Sequence, residues 1–280
     1  MFRRLRAGEA ITPRLTVAQA VPRWVELYVQ TARNGKGAAL EESRAKRYLI
    51  PFLGHKQLGK VARDDLRSYR LWLEKKPIAI QTVHHILGSA RCFFYWCLDS
   101  GYIDRSPVPR RLLPRIQERP PDRLTDEELS AIVGLPDPHG FVARFAVGTG
   151  LRWGELCRAQ KLHIEDGMLV VSRTKTGRVR RVPLSQELLA ELHPRVGKLV
   201  PFSVTASGAF NRYVRRESGV DRFHVHQMRH TFACRWLEKG GSLAALQQIL
   251  GHSTIVTTQR YARLTDEHVR REAERLEGIL

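Results

Sequence analysis

Five prolines and six arginines crowd into the nineteen residues from Arg105 to Arg123, RSPVPRRLLPRIQERPPDR. Proline has no backbone N–H and clashes with the preceding helical turn, so neither a helix nor a central strand runs through such a stretch. The chain of 280 residues therefore divides near residue 120. The stretch reads as an extended, cationic connector. The expected organisation is a helical unit over 14–106, the connector over 107–123, a second unit over 124–264 and a tail over 265–280. Each unit is long enough to bury a core.

Charge narrows the function classes. Lys and Arg number 47 against 28 Asp and Glu, a formal +19. That balance points to a polyanionic partner, most simply nucleic acid. An anionic membrane is the competitor, but Gly240 to Gln259, twenty residues without Asp, Glu, Lys or Arg, is rich in Gly, Ser, Gln, His and Thr and is no membrane span. The basic start MFRRLRAGEAITPR has no apolar run behind it and is no secretory signal. Cys92, Cys97, Cys157 and Cys234 form no CxxC pair, as expected of structural thiols in a reducing, cytoplasmic compartment.

Before the connector the apolar period is helical. Val17, Ala20, Val21, Trp24, Val25 and Tyr28 make one stripe behind Thr16; 41–52, 64–76 and 81–98 give three more. Four helices predict a small all-α unit. The aromatic cluster Phe93, Phe94, Tyr95 and Trp96 is expected in its core rather than stacked on bases. After the connector the pattern is mixed. Thr125 caps a helix with acids in its first turn, and 141–147 is a second helix closed by Gly148 and Gly150. Met168 to Ser172 and Arg180 to Leu184 read as two strands around a Thr176-Gly177 turn. The fold class expected is mostly α: a four-helix unit followed by an α+β unit with one small antiparallel sheet.

Four separated segments carry the chemistry: TGLRWGEL (149–156), SRTKTGRVRRVPL (172–184), HVHQMRHTFACRWL (224–237) and LGHSTIVTTQRYARL (250–264). Arg152 follows a glycine turn that can aim a guanidinium into a cleft, with Glu155 three residues on. The hairpin holds Arg173, Lys175, Arg178, Arg180 and Arg181 with no acid among them, a run suited to a nucleic-acid backbone. Arg110 and Arg111 of the connector join that group. His226, Arg229 and His230 at i, i+3, i+4 share a helix face, expected to lie away from Met228, Phe232 and Trp236. The two histidines could in principle pair on zinc, but the HExxH pattern needs Glu at 227, which is Gln, and Arg229 opposes a cation. An arginine flanked by imidazoles suits a phosphate better. Tyr261, beside these cations, is expected to ionise more easily and act as a nucleophile.

In order and spacing these four segments resemble the catalytic domain of the tyrosine recombinases, the phage-integrase family. The resemblance covers about the last 160 residues by motif, and more loosely the N-terminal helices, which look like that family's core-binding domain. It implies Arg152 with Glu155 as the first arginine segment, Lys175 as the hairpin lysine and His226-Gln227-Met228-Arg229-His230 as the H-x-L-R-H box. His252 would be the histidine of the LGH segment, with Tyr261, nine residues later, as the nucleophile. Met228 replaces the usual Leu, a volume-conserving exchange.

What the resemblance implies is a site-specific DNA recombinase working through a 3′-phosphotyrosyl intermediate. Arg152 and Arg229 would hold the non-bridging oxygens and Lys175 would protonate the leaving 5′-oxygen. His226 would take or hold the tyrosine proton, and His252 would bond the phosphate. Glu155 would orient His226, with His230 in support. Two arginines and a lysine neutralise a phosphate, so no metal is expected, and no GxxxxGK[ST] loop invites ATP. The expected partners are double-stranded DNA carrying a specific site and further copies of the chain in a tetramer, with no membrane, at the nucleoid. Val269, Ala273, Leu276 and Leu280 form a tail stripe that could dock on a neighbouring protomer. Few residues precede the first helix, so the layout expected is that of the short, two-domain members without an arm-binding domain. The rival readings are a type IB topoisomerase-like enzyme and a non-catalytic DNA-binding descendant.

Overall fold

The computed structural model describes residues 15–33, 35–117, 120–172, 179–262 and 274. The chain divides into two compact units, 1–118 and 119–280.

The first unit is helical. Helix α1 spans 17–32, with one wide turn over Val25–Val29. A reciprocal capping box starts it: Gln19 N–H donates to Thr16 Oγ1, and Thr16 N–H donates to Gln19 Oε1. Helix α2 spans 35–53 and begins six residues before the apolar stripe predicts, because Ala38 is itself buried against the core. Helices α3 (Arg63–Glu74) and α4 (Ile80–Asp99) complete the set. Phe93, Phe94 and Trp96 are buried in the core with Trp24, Tyr69 and Leu66, whereas Tyr95 points outward. The proline-rich stretch is not a free tether at its start. Leu112 and Pro114 are buried, and Arg70 Nη1 donates to the carbonyls of Arg111 and Leu112 at 3.3 and 3.4 Å.

The second unit is mixed. Helix α5 (Asp126–Val133) carries the expected Thr125–Glu128 capping box, and α6 (His139–Thr149) ends at Gly150 in the left-handed region, φ 63°. A short helix α7 (Trp153–Leu156) follows. Three strands, β1 (Ile164–Glu165), β2 (Met168–Val171) and β3 (Arg180–Pro183), pair antiparallel in the order β1-β2-β3. Sequence periodicity finds only the last two. Strand β1 is two residues long, and its only mark is the Asp166-Gly167 turn, both residues at positive φ. Helices α8 (Gln186–Leu192), α9 (Ser207–Ser218), α10 (His226–Glu238), α11 (Leu243–Leu250) and α12 (Ile255–Ala262) finish the unit. Phe141, Phe145, Val182, Phe210, Phe223 and Met228 centre its main core. A smaller cluster of Ala233, Cys234, Leu237, Leu246, Leu250 and Tyr261 lies under α10, α11 and α12. The fold is thus mostly helical with one small antiparallel sheet. Among the described residues, no helix is long and apolar enough to cross a membrane.

Candidate active site

Helix α10 organises the site. The end of the connector runs beside it and pins it. Gln227, wholly buried, donates from Nε2 to Asp122 Oδ2 at 3.0 Å and accepts from the His224 N–H at 2.8 Å. Leu124 N–H donates to Thr231 Oγ1 at 3.0 Å, and Arg235 pairs with Asp126 at 2.5 Å. Position 227 is therefore an internal strut that fixes the first turn of α10.

From that turn Arg229 points inward, not along the solvent face the i, i+3, i+4 spacing suggests. Its side chain is 2% exposed. Nη1 donates to the Gly150 carbonyl at 2.7 Å; Nη2 donates to the Leu250 carbonyl at 2.8 Å and lies 2.9 Å from His252 Nε2. These acceptors are neutral, so the charge is desolvated without a counter-ion in those contacts. Burial and then Arg152 push Arg229 down to about 9. A buried cation in this condition favours an incoming anion. Guanidinium has no acceptor, so His252 Nε2 must accept from Arg229. The neutral His252 then carries its proton on Nδ1, 2.8 Å from Thr258 Oγ1.

Arg152 sits at the N-cap of α7. Its N–H donates to Glu155 Oε2 at 2.9 Å and its Nη1 to Oε1 at 3.1 Å, leaving the guanidinium partly open to solvent. Glu155 does not orient His226. It is buried and holds Arg152 on one side and Arg180 on the other, at 3.1 and 2.7 Å. Burial works against its charge, but the hydrogen bonds and charges of Arg180 and Arg152 outweigh burial and keep the carboxyl below its ordinary range.

Arg180, expected on the DNA, is instead 8% exposed. Besides Glu155 it donates from Nε to the Ile249 carbonyl at 2.6 Å and packs on Gly251. It thus joins the Arg152 segment to the His252 loop. The inward phase of β3, alternating buried and exposed, puts Arg180 inside and Arg181 outside. Arg181 is exposed, 3.6 Å from Glu165. Arg110 and Arg111 are exposed on the first unit, lining a surface groove with Arg67 and Arg70. Arg173, Lys175 and Arg178 lie outside the described residues, as does the tail stripe.

Tyr261 is buried, 5% exposed, on α12. Its hydroxyl is 2.8 Å from His230 Nδ1, and its ring lies parallel to His252 at 6.4 Å between centroids. Burial raises its pKa despite Arg229, the reverse of the easier ionisation expected from the neighbouring cations. His226 is exposed, edge-on to His230 at 4.7 Å. Burial pushes His230 down to about 4, helped by His226, and pushes His252 to about 4, helped by Arg229. His226 is lowered too, by desolvation and then Arg229. All three imidazoles therefore stand neutral near pH 7.

Arg152, Arg229, His230, His252 and Tyr261 thus lie together, joined by hydrogen bonds, ring contacts and mutual charge effects, with His226 at the edge. Sequence reasoning missed Thr258 and the Asp122–Gln227 strut. Thr258 was findable, since it lies one helical turn before Tyr261 on the same face. Among the described residues, no three His, Cys, Asp or Glu side chains gather as a metal site.

Over 236 residues the chain is 28% identical to the tyrosine recombinase XerA of Pyrococcus furiosus, covering 76% of this chain and 80% of that protein. In structure it resembles the Tn1549 transposon integrase in complex with a circular intermediate DNA (TM-score 0.75, 23% identity, 94% of this chain and 100% of that one). It also resembles lambda integrase, solved as a tetramer bound to a Holliday junction (TM-score 0.68, 19% identity, 86% of this chain and 78% of that one). The model of the phage integrase family matches residues 122–268, which takes in the whole cluster just described. The chain belongs to the phage integrase family, the tyrosine-type site-specific recombinases.

Proposed function

We propose that this recombinase cuts and reseals duplex DNA through a covalent 3′-phosphotyrosyl link to Tyr261, without metal or nucleotide. The observation that carries this reading is Arg229. It is a buried cation whose hydrogen bonds go to neutral acceptors, the carbonyls just before Arg152 and His252 and the His252 ring, with the Glu155 carboxylate acting on it without such a bond and the Tyr261 phenol nearby. A phosphodiester brings a negative charge into direct contact. Arg152 and Arg229 would then hold the non-bridging oxygens, where charge accumulates as the phosphorus becomes five-coordinate. Loss of one such donor costs about 2.7–4 kcal/mol of barrier. His252 would carry its proton on Nε2 instead of Nδ1 once the phosphate is bound, and so donate to the same oxygens, and His226 stands at the solvent edge, where the DNA would arrive. Lys175 is the proposed acid for the leaving 5′-oxygen. Two guanidiniums supply the charge that a divalent ion would bring, and the phosphotyrosyl ester conserves the bond for rejoining.

The solved integrases on DNA support duplex DNA as the partner, and the lambda tetramer supports assembly of four copies on paired sites. The test is a nicked duplex bearing the recombination site, incubated with the protein in chelator and resolved in detergent. A covalent adduct is expected from the natural chain and none from Tyr261→Phe, which should still bind the duplex. An adduct from Tyr261→Phe, or one that needs added metal, would sink the reading.

A further inference from the structure

We propose that Thr258 is a positioning residue for the reaction: its hydroxyl reverses its hydrogen bond to His252 and so lets that imidazole change tautomer when a phosphate arrives. This rests on the reading above of His252 as a phosphate donor and of Tyr261 as the nucleophile. The backbone of His252 is already fixed. Its N–H donates to the Gln247 carbonyl at 3.1 Å, and its own carbonyl accepts from Gln247 Nε2 at 3.3 Å. Gly251 before it makes a left-handed turn, φ 64°, against the Arg180 side chain. Both ring nitrogens are engaged, Nε2 with Arg229 at 2.9 Å and Nδ1 with Thr258 Oγ1 at 2.8 Å. A ring held at both ends changes its donor pattern by exchanging which nitrogen bears hydrogen, without turning.

The direction of each bond in the free chain follows from Arg229. A guanidinium has only donors, so His252 Nε2 accepts, Nδ1 carries the hydrogen and Thr258 Oγ1 accepts it. Burial, then Arg229, Arg152, Arg180 and His226, keep the free ring neutral, so it holds one hydrogen and not two. Thr258 is wholly buried, and among the described residues its hydroxyl makes this one hydrogen bond. The hydroxyl therefore serves as an acceptor while its own hydrogen is left over. A phosphate oxygen at Nε2 demands a donor there. The ring then carries its hydrogen on Nε2, and Nδ1 becomes an acceptor. A group that only accepts or only donates would satisfy one of these states and oppose the other. A hydroxyl satisfies both by rotating about its C–O bond, and in the second state its hydrogen gains an acceptor. The ring gives one proton to solvent and takes one back, so its charge is unchanged. Thr258 also lies three residues before Tyr261 on α12, whose phenol ring is parallel to the His252 ring. One hydrogen bond thus ties the phosphate-facing imidazole to the helix that carries the attacking oxygen.

The experiment uses the full chain and a short duplex carrying one recombination site. Nitrogen NMR of isotope-labelled histidine reads the tautomer directly, since a ring nitrogen that bears hydrogen and one that does not differ widely in shift; His252→Gln identifies the signals. In Tyr261→Phe, which cannot form the covalent link, the free chain should carry hydrogen on Nδ1 of His252 and the complex on Nε2. Any other pattern, including an imidazolium in the complex, overturns the proposal. Thr258→Val keeps the shape and loses the hydroxyl. At saturating duplex it should cleave about tenfold or more slowly, the scale seen when an imidazole loses its outer hydrogen-bond partner, while its affinity for the duplex stays unchanged. Thr258→Ser restores the hydroxyl and should recover most of that loss. A valine variant as fast as the natural chain, or a serine variant as slow as the valine one, also overturns the assignment. Should the valine variant fail to fold, the nitrogen signals decide alone. An adduct formed by Tyr261→Phe would instead overturn the nucleophile.

Discussion

A single carboxylate shows how strongly one side chain can tie a site together. Glu155 neutralises one buried arginine, Arg180, and aligns a second, Arg152, that must stay available to an anion. Removing one partner of a buried pair leaves the other charge desolvated, at a cost of about 3–5 kcal/mol. Arg180→Met should lose stability of that order in urea denaturation. Arg180→Lys should recover only part of it, because an ammonium lacks the planar fork that meets both Glu155 oxygens and the Ile249 carbonyl. The histidines set a second expectation. His230 and His252 are pushed to about 4 in the folded chain, against about 6.5 when unfolded. Between those values the unfolded chain binds more protons, so stability falls as pH drops from about 6.5 toward 4. Unfolding measured at pH 7 and pH 5 should show this loss, and it should be shallower in a His230→Gln/His252→Gln chain. An unchanged slope would refute the buried, neutral imidazoles.

At the level of elements, turns do as much as helices. Gly150 closes α6 with φ 63°, and its carbonyl holds Arg229. An added Cβ would lie 2.4 Å from Phe232 Cδ1 and 3.0 Å from Leu250 Cδ2. Gly150→Ala should therefore cost about 1–2 kcal/mol for the left-handed backbone and a further ~1–3 kcal/mol for overpacking. Denaturation should register the sum, and strand cleavage should slow with it because Arg229 loses its anchor. Helix starts with side-chain caps, at Thr16 and Thr125, were legible because the capping residues are local in sequence. The start of α2 was not, because Gly35 and Gly37 weaken the local signal and the burial of Ala38 decides it. Strand β1 escaped because two residues carry no period.

For the whole molecule, two separate cores and a strongly basic surface dominate. Trp24, Phe93 and Tyr69 centre one core, and Phe141, Phe210 and Phe223 the other. With a formal charge of +19, contacts to DNA phosphates should dominate affinity. Binding measured by fluorescence anisotropy should weaken roughly 10³- to 10⁵-fold from about 50 to 200 mM salt if some six to ten phosphates are neutralised. A flat salt response would contradict that surface. The sequence alone determined the helical bias, the break near the prolines, the basic charge and the chemically loaded segments, since each of these is written in composition or in neighbours a few residues apart. Only the tertiary structure decided that Arg180 is an internal strut while Arg181 faces solvent, that Arg229 is buried, and that His230 rather than His226 meets Tyr261. Those outcomes depend on strand phase, on which helix face is covered, and on contacts between residues far apart in the chain, and so they exist only once the chain has packed.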